Sequence, residues 1–136
     1  MNNTIHSSDD FEGMRKAGNL AASTLDLLVE KVKPGVSTEE LDNIAFDYIV
    51  RHGGLIAPLF YKGYPKSICT SINRVICHGI PSSRVLEKGD IGNIDVTAIV
   101  DGWHGDTSRM FPVGKINAKA QKLIDCTFNA MHEGIN

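Results

Sequence analysis

"GDIGNIDVTAIVDGWHGDTSRMF", residues 89–111, decides how this chain folds. Two β-rich runs flank Asp101-Gly102, and an Asp-Gly pair between such runs signals a two-residue type I′ hairpin turn. With that turn in place, Val100 pairs with Trp103, Thr97 with Asp106, and Asp95 with Ser108. Side chains alternate between the two faces of a strand, so Ile94, Val96, Ala98 and Val100 form an apolar face while Asn93, Asp95 and Thr97 share the other. Asp95 and Asp106 are then diagonal neighbours on one face, with α-carbons about 7–8 Å apart.

Aspartate is depleted in strands, and two like charges this close repel unless a cation offsets them. Two readings follow. One is a solvated polar face; the other is a carboxylate platform beside which two metal ions, about 3.5–4 Å apart, would fit. The same parity puts His104 on this face, either as a third ligand or as a solvated residue near the turn.

Upstream, Asp9 and Glu12 have D-x-x-E spacing, and Phe11, Met14, Ala17, Ala21, Leu25, Leu28 and Val32 recur at steps of three and four, which predicts an amphipathic helix. It should end at Lys33-Pro34-Gly35, because proline disfavours helical geometry in the residue before it. Ser37 and Glu40 form a capping box that opens a second helix with apolar face Leu41, Ile44, Ala45, Tyr48 and Ile49, closed by Gly53 and Gly54. From Leu55 the helical period gives way to short β-rich runs, "SICTSIN" (67–73) and "DIGNIDVTAIV" (90–100), so the chemistry should lie after residue 55. Asn117 caps a third helical segment bearing Leu123, Ile124, Phe128 and Met131.

Composition fits one globular domain or part of one: of 136 residues, 42% are hydrophobic and 22% charged. A net charge of -2 and the lack of any run of like charges give no general attraction to nucleic acid or an anionic membrane. Cys69, Cys77 and Cys126 are odd in number without C-x-x-C spacing, as expected of reduced thiols rather than a disulfide framework. With no basic-then-apolar leader and no apolar run approaching about 18 residues, the simplest expectation is a cytoplasmic protein.

The ordered segments "DDFEGMRKAGNLAASTLDLL", "VKPGVSTEELD", "GYPKSICTSINRVICHGIP" and the hairpin together closely resemble type I methionine aminopeptidases of bacteria, in the pita-bread metallopeptidase superfamily. The resemblance covers nearly the whole chain. It implies an α/β pita-bread fold, of which residues 1–136 are the amino-terminal half of a single domain: two helices, antiparallel hairpins, then a helix. It implies removal of the initiator methionine from nascent polypeptides, possibly at the ribosome, by a cytoplasmic enzyme that is a monomer when complete. The cofactors would be two divalent ions, manganese, iron, cobalt or zinc. Asp95 corresponds to a ligand of one ion and Asp106 to the bridge between both, and His78 of "CHGIP" corresponds to a histidine that contacts substrate near the scissile amide. Tyr61, Tyr64 and Cys69 match positions lining the methionine side-chain pocket.

Apart from the resemblance, His78 would read as a loop histidine, the tyrosines as loop-anchoring aromatics and Cys69 as core. The remaining ligands of the family, a histidine and two glutamates, belong to a second half that this sequence lacks, so the chain alone should be inactive and should leave an apolar face unpaired. A non-catalytic binding module of the same fold and a prolidase relative are the alternatives. Gly92 occupies an apolar-face position where the family usually carries an aliphatic residue, so Gly92→Val should stabilise the hairpin. Pro58 and Phe60 stand where small residues usually precede the pocket tyrosines.

Overall fold

A computed structural model of the chain describes residues 5–136; the first four residues of the polar amino terminus lie outside it. Among the described residues the elements run α1 (Ser8–Val29), α2 (Thr38–Arg51), β1 (Leu55–Ile56), a 3-10 turn (Tyr61–Gly63), β2 (Cys69–Ile72), β3 (Ile91–Val100), β4 (Trp103–Pro112) and α3 (Ala118–Ile135).

The hairpin has the register that the Asp-Gly turn demands: Val100 opposite Trp103, Thr97 opposite Asp106, Asp95 opposite Ser108. Asp101 (φ 51°) and Gly102 (φ 84°) both take positive φ, as a type I′ turn requires. Strand β3 is central. β4 lies along one edge, while β1 and β2 lie end to end along the other, with Leu55 opposite Ile99 and Cys69 opposite Asp95. "SICTSIN" is strand only over Cys69–Ile72, because Asn73 (φ 54°) turns the chain away.

Helices α1 and α2 cover the apolar face, where Leu25, Leu28, Leu41, Ile49, Ile94 and Val96 are fully buried. Each such side chain contributes about 1.5–3 kcal/mol through burial. The approach of α1 to the hairpin is closest at Gly105, where an added Cβ would lie 2.1 Å from the Ala17 carbonyl carbon. Ala17 and Ala21 are completely buried there, since only small residues let helix and sheet backbones come this near.

The caps refine the helix boundaries. The capping box of α2 is Ser37 with Glu40, as its sequence indicates. That of α1 is Ser7 with Asp10, not Asp9 with Glu12; Ser7 N–H donates to Asp10 Oδ2 over 2.7 Å, and Glu12 instead pairs with Arg15. Helix α1 also stops at Val29, before Lys33-Pro34-Gly35, because Lys31 and Val32 N–H both turn back to the Leu28 carbonyl. Phe11 and Met14, assigned to the apolar stripe, are about half exposed.

Gly92 faces the core, but Gly92→Val has no empty space to fill and is not expected to stabilise the hairpin. A Cβ there would meet Ile72 Cδ1 at 2.6 Å, so the neighbouring strand already fills the space that the missing side chain would leave. Helix α3 begins at Asn117, whose side chain accepts from Ala120 N–H over 2.9 Å. None of its residues is buried, and Leu123, Phe128 and Met131 present an open apolar face.

Candidate active site

Asp95 and Asp106 stand on the face of the hairpin turned away from the helices. Thr97, directly opposite Asp106, donates from Oγ1 to Asp106 Oδ1 over 2.7 Å. Asp95 is half-buried. Its carboxyl titrates above the usual range because burial disfavours the charge, with the Asp106 charge adding to the rise and His78 partly opposing it.

Strand β2 brings the second set of residues. Because Cys69 is the direct cross-strand partner of Asp95, its side chain lies on the same face. Burial pushes the Cys69 thiol up, and the thiol is not in a disulfide. After β2 the chain doubles back, so that Thr70 N–H donates to the Gly79 carbonyl (2.8 Å) and Gly79 N–H to Ser71 Oγ (3.1 Å). Gly79 packs so tightly that a Cβ would sit 2.2 Å from the Thr70 oxygen. His78 next to it holds a left-handed backbone (φ 54°), a conformation histidine adopts more readily than most residues. The imidazole is thereby carried on a turn anchored to the strand neighbouring Asp95.

The pocket tyrosines lie in a loop with unusual backbone: Phe60 (φ 66°), Lys62 (φ 48°) and Gly63 (φ 83°) are all left-handed. Phe60 points to solvent rather than into the pocket, being 79% exposed. Tyr64 OH lies 2.9 Å from the Ile68 carbonyl and 3.2 Å from the Gly79 carbonyl, and it is half-buried; burial raises its pKa first, followed by the Cys69 contact.

Tyr61, Tyr64, Cys69, His78, Asp95 and Asp106 all line one open cleft of about 870 Å³. Thr97 and His104 join them. The hairpin pattern had already put both on this face, but it assigned Thr97 no role, and only the contact with Asp106 reveals one. Asp42 escaped the sequence reading altogether. It is a buried carboxylate on α2, 4% exposed, which receives the Ser67 and Ile68 N–H groups behind the tyrosine loop. Its place directly after Leu41, beside the apolar stripe, was the available signal.

The model of Metallopeptidase family M24 matches residues 12–136. This chain belongs to metallopeptidase family M24. Among proteins similar to this M24 chain, the methionine aminopeptidase of Rickettsia prowazekii is 55% identical over 131 residues, covering 96% of this chain and 51% of the relative. The methionine aminopeptidase of Escherichia coli strain K12 is 52% identical over 131 residues, covering 95% and 50%. The crystal structure of the Rickettsia prowazekii methionine aminopeptidase superposes with a TM-score of 0.96 over 97% of this chain and 53% of that one. The fold is thus the α/β pita-bread architecture of these peptidases, and this M24 chain spans about half the length of the curated relatives it matches.

The donor chemistry fits the divalent ions that a metallopeptidase uses. Paired carboxylates are hard ligands suited to such ions. Among the described residues no three His, Cys, Asp or Glu side chains converge as a complete metal site.

Proposed function

We propose that this chain is the amino-terminal half of a methionine aminopeptidase, contributing Asp95 and Asp106 to a two-metal centre whose remaining ligands come from the part of its relatives that it does not cover. The observation that carries the reading is the diagonal carboxylate pair lining the same cleft as His78, Tyr64 and Cys69. Asp95 would hold one ion and Asp106 would bridge both, with Thr97 fixing the Asp106 carboxylate from behind. Bound divalent ions, whether manganese, iron, cobalt or zinc, supply an activated water and a polarised peptide carbonyl.

The chain's own residues do the rest. His78, carried on its anchored turn, contacts the substrate near the scissile amide and donates a hydrogen bond that stabilises the developing oxyanion or the leaving amide. Tyr61, Tyr64 and Cys69 wall the pocket for an unbranched thioether side chain, where apolar fit discriminates by about 1–3 kcal/mol per methylene. The substrate is the amino-terminal methionine of nascent chains at the ribosome, in the cytoplasm, and the complete enzyme acts as a monomer. Among the described residues no helix is long and apolar enough to cross a membrane. The high identity to methionine aminopeptidases favours this reading over a prolidase relative, and retention of the carboxylate pair favours it over a binding module that has lost its metals.

The test is methionine release from Met-Ala-Ser in the presence of manganese. The full-length protein should turn the peptide over and lose activity on chelation, and Asp106→Asn should abolish turnover. Residues 1–136 alone should release no methionine above background; turnover by this half comparable to that of the full-length protein would refute the split of ligands between halves.

A further inference from the structure

The tyrosine loop ends where α2 begins to hold it. Asp42 Oδ1 accepts Ser67 N–H (2.7 Å) and Ile68 N–H (3.0 Å), two buried donors in the connection between the loop and β2. The Ile68 carbonyl faces the other way and lies 2.9 Å from Tyr64 OH, which also reaches the Gly79 carbonyl beside His78. One stretch of backbone is therefore gripped from both sides, its N–H groups by Asp42 and its carbonyl by Tyr64. Glu39, one turn before Asp42, adds a second tether through Lys66 Nζ at 2.6 Å.

Two features make this more than an incidental contact. Burying a carboxylate on the apolar side of a helix is costly, and burial indeed pushes the Asp42 carboxyl up. The loop it restrains carries two non-glycine residues in left-handed conformation, Phe60 and Lys62, a strained arrangement that persists only when its surroundings over-determine it.

We propose that Asp42 is a positioning residue: its carboxylate and the Tyr64 hydroxyl lock the pocket loop and the His78 turn into one unit, setting where the substrate side chain sits relative to the reacting groups. This rests on the aminopeptidase reading above. Asp42 lies behind the pocket wall and acts through Ser67, Ile68 and Tyr64.

The experiment uses the full-length protein with manganese and Met-Ala-Ser. Wild-type turnover tests the aminopeptidase reading by itself. Asp42→Ala and Tyr64→Phe should each raise KM about ten-fold and lower kcat as well, because the substrate side chain and the His78 donor both lose their placement relative to the reacting amide. Asp42→Asn, which keeps an acceptor oxygen, should restore KM to within about two-fold. Because the two residues hold one unit, the double variant should be no worse than the worse single variant. An unchanged KM in Asp42→Ala alongside a lowered Tm, or effects that multiply in the double variant, would overturn the proposal. Hydrogen exchange gives a readout independent of activity: amides of residues 60–68 and 77–80 should lose protection together in Tyr64→Phe and in Asp42→Ala. Loss confined to residues 67 and 68 would also overturn it.

Discussion

Thr97 and Asp106, directly opposed on β3 and β4, are joined by a hydrogen bond of 2.7 Å from the threonine hydroxyl to one carboxylate oxygen. Residues that orient a metal ligand tune its affinity although they never touch the ion. Thr97→Val keeps the β-branched shape that the strand favours and removes only the donor. Manganese affinity of the full-length protein, measured by calorimetric titration, should fall by about 10–100-fold, while the Tm without metal changes little. Equal metal affinity in the two proteins would show that Asp106 needs no such support.

Gly105 and Gly18 should respond in opposite directions. A methyl group on Gly105 would press on the α1 backbone at Ala17 and Gly18, which cannot swing aside as a side-chain tip does. Gly105→Ala should cost about 3 kcal/mol in urea unfolding of the full-length protein. Gly18, on the same helix, has open space around its Cβ position, so Gly18→Ala should stabilise by about 0.5–1 kcal/mol.

The contact of Gly92 with Ile72 makes a paired prediction. Ile72→Val removes the Cδ1 atom that occupies the Gly92 space and should cost about 0.5–1.5 kcal/mol. Adding Gly92→Ala to it returns volume to the same spot, so the double variant should match or exceed Ile72→Val in Tm, whereas Gly92→Ala alone should not stabilise. Stabilisation by Gly92→Ala alone would mean that Ile72 moves aside without penalty.

Asp90 supplies a pH dependence. Burial raises its pKa, but the Glu87 N–H (3.0 Å), Asn73 Nδ2 (2.7 Å) and Arg84 Nη2 (3.3 Å) more than offset this, leaving it below the ordinary value. A lowered carboxylate pKa contributes stability that is present above the ordinary aspartate value and is lost as pH falls through the lowered one. Asp90→Asn should therefore cost about 2 kcal/mol at pH 7, and the gap to wild type should close as the medium is acidified towards and below pH 4. A gap that stays constant across that range would assign the loss to packing instead.

The placement of the two aspartates was legible because their spacing is local. Asp95 and Asp106 follow from a period of two and a turn of two residues, and both are short-range properties of the backbone. The departures are also local in origin: Ser7 competes with Asp9 for the same helix start, and periodicity alone cannot say which cap wins. Helix α3 shows the opposite limit. Its apolar stripe reads like those of α1 and α2, yet no part of the described chain covers it.

By itself, then, the amino-acid order determined the hairpin, its register, the face shared by the two aspartates and the caps of α2 and α3. Tertiary structure alone decided that β2 lies beside Asp95, that Gly79 seats the His78 turn against Thr70, that Ile72 fills the Gly92 space, and that Asp42 reaches the tyrosine loop from a helix 25 residues earlier. The physical reason is that alternation, turns and caps depend on neighbours along the chain. Which side chain fills a gap or satisfies a distant N–H depends on how whole elements pack.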